Sequence, residues 1–370
     1  MGQSAQTELK ALTSLRGIAA LFVMFHHFMF VAMLEVAQFV PSRLIQKSYL
    51  WVDLFFVLSG FVLAYVYHTT FQSSVSRKHY WHFMQARFVR VYPLHIFMVL
   101  IFVGYETMQW VLSVSGAPGI HALDAPFTNK QSIETLITNV FLLQTFHWQS
   151  YWNEPAWSIS AEWITYFVIP FTIGKVLRLG ESKLALLAIS ALLPLIAIEW
   201  YFGDLGLYYA GWPMLIRCFC EATLGILAFR CYKEGRLKSL ANAELLTPVL
   251  FLNLLILAFP GPGVPSVAGF VWLVLCASRL PSSQGHILNH PLLVYLGKIS
   301  YSIYLVHWLF VDMVRDAGPV LIGTPFHETM PLSAQMYSIV AMTILTIGIS
   351  ALTYRYIEEP VRRRFRPKSI

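Results

Sequence analysis

Charge is what this sequence has least of. Only 12% of its 370 residues are Asp, Glu, Lys or Arg, against about 25% in an ordinary soluble domain, while 57% are hydrophobic. A soluble chain of this length needs a polar surface that 26 Lys/Arg and 19 Asp/Glu cannot supply, so a soluble enzyme and a disordered polymer are both excluded. Cysteine is scarce as well. Cys218, Cys220, Cys231 and Cys276 lie in or beside apolar blocks without paired ligand spacing, which excludes a disulfide framework, leaves no metal site expected, and reads as buried free thiols. There is no internal repeat and no low-complexity stretch. A cleaved leader over 12–34 is disfavoured because similar blocks follow it and it contains His26 and His27.

What the sequence has is a succession of apolar blocks, most close to the roughly 20 residues that cross a bilayer as helix. They fall near 12–34, 49–68, 91–114, 157–177, 184–202, 211–231, 245–260, 264–280, 296–315 and 334–357. The seventh and eighth are short and are joined by Pro260-Gly261-Pro262-Gly263, which predicts a helical hairpin. The expected fold class is all-α: a polytopic transmembrane helical bundle of about ten spans. These form a single integral-membrane domain over 1–370, with spans from 12 to 357 and a short basic tail over 358–370.

Block 133–147 is short and carries Thr135, Thr138, Asn139, Gln144 and Thr145. If it does not cross, 21 of the 26 basic residues collect on one side, leaving Arg43, Lys47, Lys130, Arg217 and Arg315 on the other. If it crosses, the bias is lost. The positive-inside tendency therefore predicts an interfacial or re-entrant helix there, residues 115–156 outside, and both termini in the cytoplasm. The net charge of +7 is then a matter of topology, and no nucleic-acid partner is expected. The aromatic run at 147–152 reads as a membrane-interface belt.

Ionisable side chains inside spans are costly and each calls for a reason. Arg16 and His27 are 11 positions apart, which at about 100° per residue places them on one helix face, about 16 Å apart along the axis. His26 points about 100° away from that face. Asp53, Ser59 and Glu162 enter the second and fourth spans, and Tyr301, Tyr304 and His307 lie in the ninth. Asp53 alone also reads as a helix cap or a partner of Lys47, Ser59-Gly60 as close helix packing, and His307 as a core histidine. Arg87 and Arg90 sit three apart at the basic end of the third span, a spacing that suits phosphate and equally suits anchoring at an anionic membrane surface.

In order along the chain, these residues form Leu15-Arg16-Gly17 with His27 downstream, Asp53-Leu54-Phe55-Phe56-Val57-Leu58-Ser59-Gly60 and Arg87-x-x-Arg90-x-Tyr92-Pro93. Trp157-Ser158-x-Ser160-x-Glu162, Ser300-Tyr301-Ser302-x-Tyr304-x-x-His307 and Ile357-Glu358-x-Pro360 follow. The set resembles acyltransferase family 3, the integral-membrane O-acyltransferases. The resemblance implies ten or eleven helices, cytoplasmic acyl-CoA as co-substrate with acetyl-CoA the default, and no metal or prosthetic group. It further implies a carbohydrate acceptor at the outer face of the bacterial cytoplasmic (inner) membrane, with an exopolysaccharide unit or its lipid-linked precursor foremost. The chain resembles a stand-alone member, without the extracytoplasmic hydrolase-like domain some relatives carry. Its expected partners are acyl-CoA, the acceptor and the lipid bilayer, with a second copy or the polysaccharide-synthesis machinery left open.

By the same resemblance His27 is the catalytic histidine, with Arg16 its motif partner. Arg16, Arg87 and Arg90 are then the acyl-CoA-binding set. A neutral imidazole near working pH takes the acceptor's proton. Glu162, or in second place Asp53, is expected to orient that ring. An acyl-histidine intermediate is the variant mechanism. His26, Ser59, Tyr304 and His307 form a second tier. The competing reading, a polytopic transporter or flippase for a lipid-linked glycan or small metabolite, explains buried charge but not paired arginines aligned with an intramembrane histidine.

Overall fold

Helix α1 (Lys10–His27) has no acidic residue in its first turn and runs unbroken to the two histidines, where the chain widens into a π-helical turn, Phe28–Ala32. The computed structural model describes residues 9–365 except 41, 117–126, 129–130, 148–151, 204–205 and 208–210. Most of the aromatic run at 147–152 therefore lies outside the described residues, although Trp152 is buried.

Every regular element among the described residues is helical. α2 (Trp51–Phe71) follows a short 3-10 turn. α3 (Arg77–Val114) is N-capped by Ser76, whose hydroxyl accepts from His79 N–H at 3.3 Å. At 38 residues it is about 57 Å long, so its arginine-bearing start projects beyond a hydrocarbon core of about 30 Å.

Helix α4 (Ile133–Val140) is capped by Ser132 and has eight residues, about 12 Å, too short to cross. The expectation of a non-spanning helix in 133–147 agrees with this length. The loop after α4 is tied to the bundle: Trp152 Nε1 donates to Thr135 Oγ1 at 3.0 Å, and Ser160 Oγ donates to the Leu142 carbonyl at 2.7 Å.

The fourth block is two helices, α5 (Trp157–Tyr166) and α6 (Ile169–Arg178), broken at Phe167 and Val168 just ahead of Pro170. After them come α7 (Ser182–Phe202), α8 (Pro213–Lys233), α9 (Leu246–Ala258) and α10 (Val264–Ser278). α11 (Pro291–Lys298) bends by 65° into α12 (Ser300–Ile322). α13 (Leu332–Thr353) passes through a second π turn, Tyr354–Glu358, into α14 (Glu359–Phe365).

Each of the ten apolar blocks is occupied by helix, but the count of ten spans is not reproduced by length and apolarity. Five described helices are long and apolar enough to cross, six if α11 and α12 act as one. The shortfall has physical causes. α9 and α10 have 13 and 15 residues, the fourth block is broken, and α8 carries Arg217, Glu221, Arg230 and Lys233. Several long apolar helices nonetheless mark a membrane protein.

Packing at the centre relies on missing side chains. A Cβ on Gly60 of α2 would stand 1.9 Å from the Ala222 carbonyl oxygen of α8, and one on Gly225 would stand 2.0 Å from the Val57 oxygen. Backbone meets backbone at this crossing, as small residues allow in membrane bundles.

Candidate active site

Among the described residues, two cavities in the bundle bear on the expected site residues, and α1 and α12 each run from one to the other. The first, about 130 Å³, is lined by Arg16, Ser59, Arg87, Arg90, Glu162 and Tyr301, among others. The second, about 380 Å³, is lined by Val31, Ala32, Trp308 and a set of carboxylates. On α1, Arg16 opens into the first cavity, and Val31 and Ala32 in the π turn reach the second. On α12, Tyr301 and Tyr304 line the first, and Trp308, Asp312 and Asp316 line the second. These α12 residues recur every three or four positions, so they form one stripe about 22 Å long from Tyr301 to Asp316.

His27 and His307 lie between the two cavities along α1 and α12, and neither lines either one. His27 Nδ1 is 2.9 Å from His307 Nε2, with rings nearly parallel at 20° and centroids 5.1 Å apart. The tautomers follow from the partners. His307 Nδ1 is 3.1 Å from the Ile303 carbonyl, which can only accept, so Nδ1 carries the hydrogen. The Nε2 of a neutral His307 is then an acceptor, and His27 Nδ1–H donates to it. Neutral His27 is left with its lone pair on Nε2, the state a general base requires. His307 is fully buried, whereas His27 keeps some exposure and meets the Trp308 ring edge-on at 5.1 Å.

This pairing corrects the expected partner of His27. Glu162 lies in the first cavity and accepts from Ser59 Oγ at 2.5 Å, so its carboxylate is engaged across the α2–α5 contact. Asp53 is fully buried and held by Arg217, at 2.5 Å from both Nε and Nη2, with Glu221 3.5 Å from the same guanidinium. That cluster sits in the α2–α8 packing, and Asp53 lines neither cavity. Charge outweighs sequence order here: a buried guanidinium on α8 claims Asp53, the acid placed second to Glu162 as the expected partner of His27. His26 also points elsewhere, with Nδ1 3.0 Å from the Ile45 carbonyl.

The three arginines do converge. Arg90 forms an ion pair with Glu358, whose other oxygen lies 3.3 Å from Ser302 Oγ and whose carboxylate is 3.7 Å from Arg362. The second π turn thus delivers a buried carboxylate to Arg90, so Arg90 is a fixed positive wall. Its guanidinium also stands 5.6 Å over the Tyr301 ring. Arg87 stacks 5.9 Å from the Tyr67 and Phe83 rings, and its Nε has no hydrogen-bond partner. Tyr304 OH donates to the Pro155 carbonyl at 2.9 Å and lies 2.7 Å from Ser158 Oγ, fixing α12 against α5.

Glu358, Tyr301, Tyr166 and Trp308 belong to the site but were not among the expected site residues. Glu358 and Tyr301 fall within motifs already visible in the sequence, and that proximity was their signal.

An all-helical membrane bundle with a cationic cavity and a buried imidazole pair defines the class. The chain belongs to the acyltransferase family 3 of membrane acyltransferases, whose family model, described as an acyltransferase domain, matches residues 9–355. It is accordingly an enzyme of acyl-group transfer. It is 31% identical to "Protein 2 in picA locus" of Rhizobium radiobacter over 44% of this chain and 81% of that protein. It is 24% identical to "Acyltransferase MdmB" of Streptomyces mycarofaciens over 96% of this chain and 92% of that one. No solved structure matches.

Proposed function

We propose that this chain is an O-acyltransferase that moves an acyl group, acetyl by default, from cytoplasmic acyl-CoA to a carbohydrate hydroxyl. The acceptor stands at the outer face of the bacterial inner membrane, as an exopolysaccharide unit or its lipid-linked precursor. The observation that carries this reading is a histidine between two cavities, one of which is lined by Arg16, Arg87 and Arg90, the last already paired with Glu358, and by one carboxylate, Glu162.

The donor's phosphates belong with the arginines, where charge-assisted contacts to Arg87 and Arg16 are strongest. Its pantetheine arm then follows α1 toward His27. The acceptor hydroxyl attacks the thioester carbonyl, forming the C–O bond as the C–S bond breaks. His27 Nε2 takes the hydroxyl proton and returns it to the departing CoA thiolate. His307 holds the His27 ring through Nδ1 and stabilises the imidazolium formed in between. Ser59, already donating to Glu162, lies on the donor side as a polar contact for the thioester region.

The test is CoA-thiol release by purified protein with acetyl-CoA, together with mass spectrometry of surface glycans from cells with and without it. Loss of one acyl group from the glycan in the deletion, restored by wild type and not by His27→Ala, is expected. An unchanged glycan and no CoA release would return the chain to the transporter class.

A further inference from the structure

The second cavity has the opposite character to the first. Its described lining carries four carboxyl groups, Glu106, Glu154, Asp312 and Asp316, with Arg315 and His327, and Glu106 accepts from the Phe127 N–H at 3.0 Å. Asp316 is shared by Tyr105 OH at 3.1 Å, Gln109 Nε2 at 3.0 Å and Arg315 at 3.2 Å, which fixes it in place. Asp312 is only 5% exposed, and its Oδ1 meets Arg315 Nη2 at 2.9 Å without a hydrogen bond of its own. Two tryptophans complete the lining: Trp308, whose ring also meets His27 edge-on, and Trp152. At about 380 Å³ the space falls in the range of small-molecule sites, about 300–1,000 Å³.

We infer that this cavity is the acceptor subsite and that it selects a sugar ring bearing a protonated amine. The inference rests on the acyl-transfer reading and names the substrate class at that site. Aromatic faces suit the apolar face of a sugar ring and an adjacent cation, and the carboxylate excess suits an ammonium group. The same excess repels the donor's phosphates, so the two substrates are sorted by charge to opposite sides of His27. An amine held as ammonium has no lone pair. The nucleophile is therefore a hydroxyl of the same ring, and its proton passes to His27.

The experiment uses the full chain in lipid nanodiscs. Binding of methyl glucosaminide, methyl glucoside and methyl glucuronide is measured by saturation-transfer NMR, and CoA release from acetyl-CoA is followed in parallel. The aminoglycoside should bind about tenfold more tightly than the neutral sugar, and the uronide should not bind. Asp316→Asn should cost the amine about tenfold in affinity and leave acetyl-CoA affinity unchanged. Glu154→Gln, which removes charge without disturbing the Tyr105 and Gln109 contacts, should lower it in the same sense. Equal binding of amine and uronide, or no response to either substitution, overturns the inference even if acyl transfer proceeds. Amine-selective binding without any CoA release supports the cavity and overturns the acyl-CoA reading.

Discussion

His27 on α1 and His307, 280 residues further along the chain, share a ring-to-ring hydrogen bond of 2.9 Å. The Ile303 carbonyl behind His307 fixes which nitrogen carries each proton. His27→Ala should lower the transfer rate by about 10²–10⁴, the contribution of a general base. His307→Phe should lower kcat by about 10², as misplacing a reacting group does, with KM for the donor unchanged. His26→Ala should be close to wild type. Steady-state CoA release separates the three, and equal loss for His26→Ala and His27→Ala would overturn the assignment.

Arg87 and Arg90 should behave differently although they are three residues apart. Arg87→Ala should weaken acetyl-CoA binding by about tenfold or more, with little change in Tm, since a charge-assisted contact contributes about 1.5–3 kcal/mol. Arg90→Ala leaves the buried Glu358 with Ser302 and the more distant Arg362 alone and should destabilise the protein by at most about 3–5 kcal/mol. Glu358→Gln should reproduce part of that loss. Calorimetric donor titration and thermal melts in detergent check the split, and identical profiles for the two arginines would refute it.

Asp53→Asn should act through stability. It leaves Arg217 with Glu221 alone in a buried setting, so the melt should fall while turnover per folded molecule stays within a factor of a few. A loss of about 10² in kcat at unchanged Tm would place Asp53 in the chemistry after all.

Sidedness is read by thiol labelling after the four native cysteines are replaced. Thr329→Cys, exposed at the end of the single helical turn Phe326–Thr329 beside the carboxylate cavity, should react with a membrane-impermeant reagent in intact cells. Ser239→Cys, exposed among basic residues, should react only after permeabilisation. The reverse pattern would invert the direction proposed for the reaction.

Apolar blocks made the helices legible in the sequence, because a helix that needs lipid must be written as a continuous run. Crossing was less legible, since α8 keeps four charged residues, and the full pairing of Arg217 among them depends on a tertiary partner, Asp53. The shared face of Arg16 and His27 followed from helix geometry alone. The partner of His27 did not, because nothing local tells which of Asp53, Glu162 and His307 a ring will meet. Arg217 decided the first by claiming it and Ser59 the second, leaving His307. The carboxyl groups of the second cavity come from α3, α12 and the turn before α5, so no single motif announced them.

Where Gly60 and Gly225 press against the opposing backbones, no layer of side chains separates α2 from α8. Helices slide past one another by shifting such layers, and here there is nothing to shift. The wall that carries Ser59 is therefore a fixed rail, clamped further along by Asp53 and Arg217. Any widening of the arginine-lined cavity falls to its other wall, built by the long α3 and by α5, whose chain breaks at Phe167 and Val168 before α6. A donor entering as proposed would then be admitted by yielding on one side only, with Ser59 held in place as it passes.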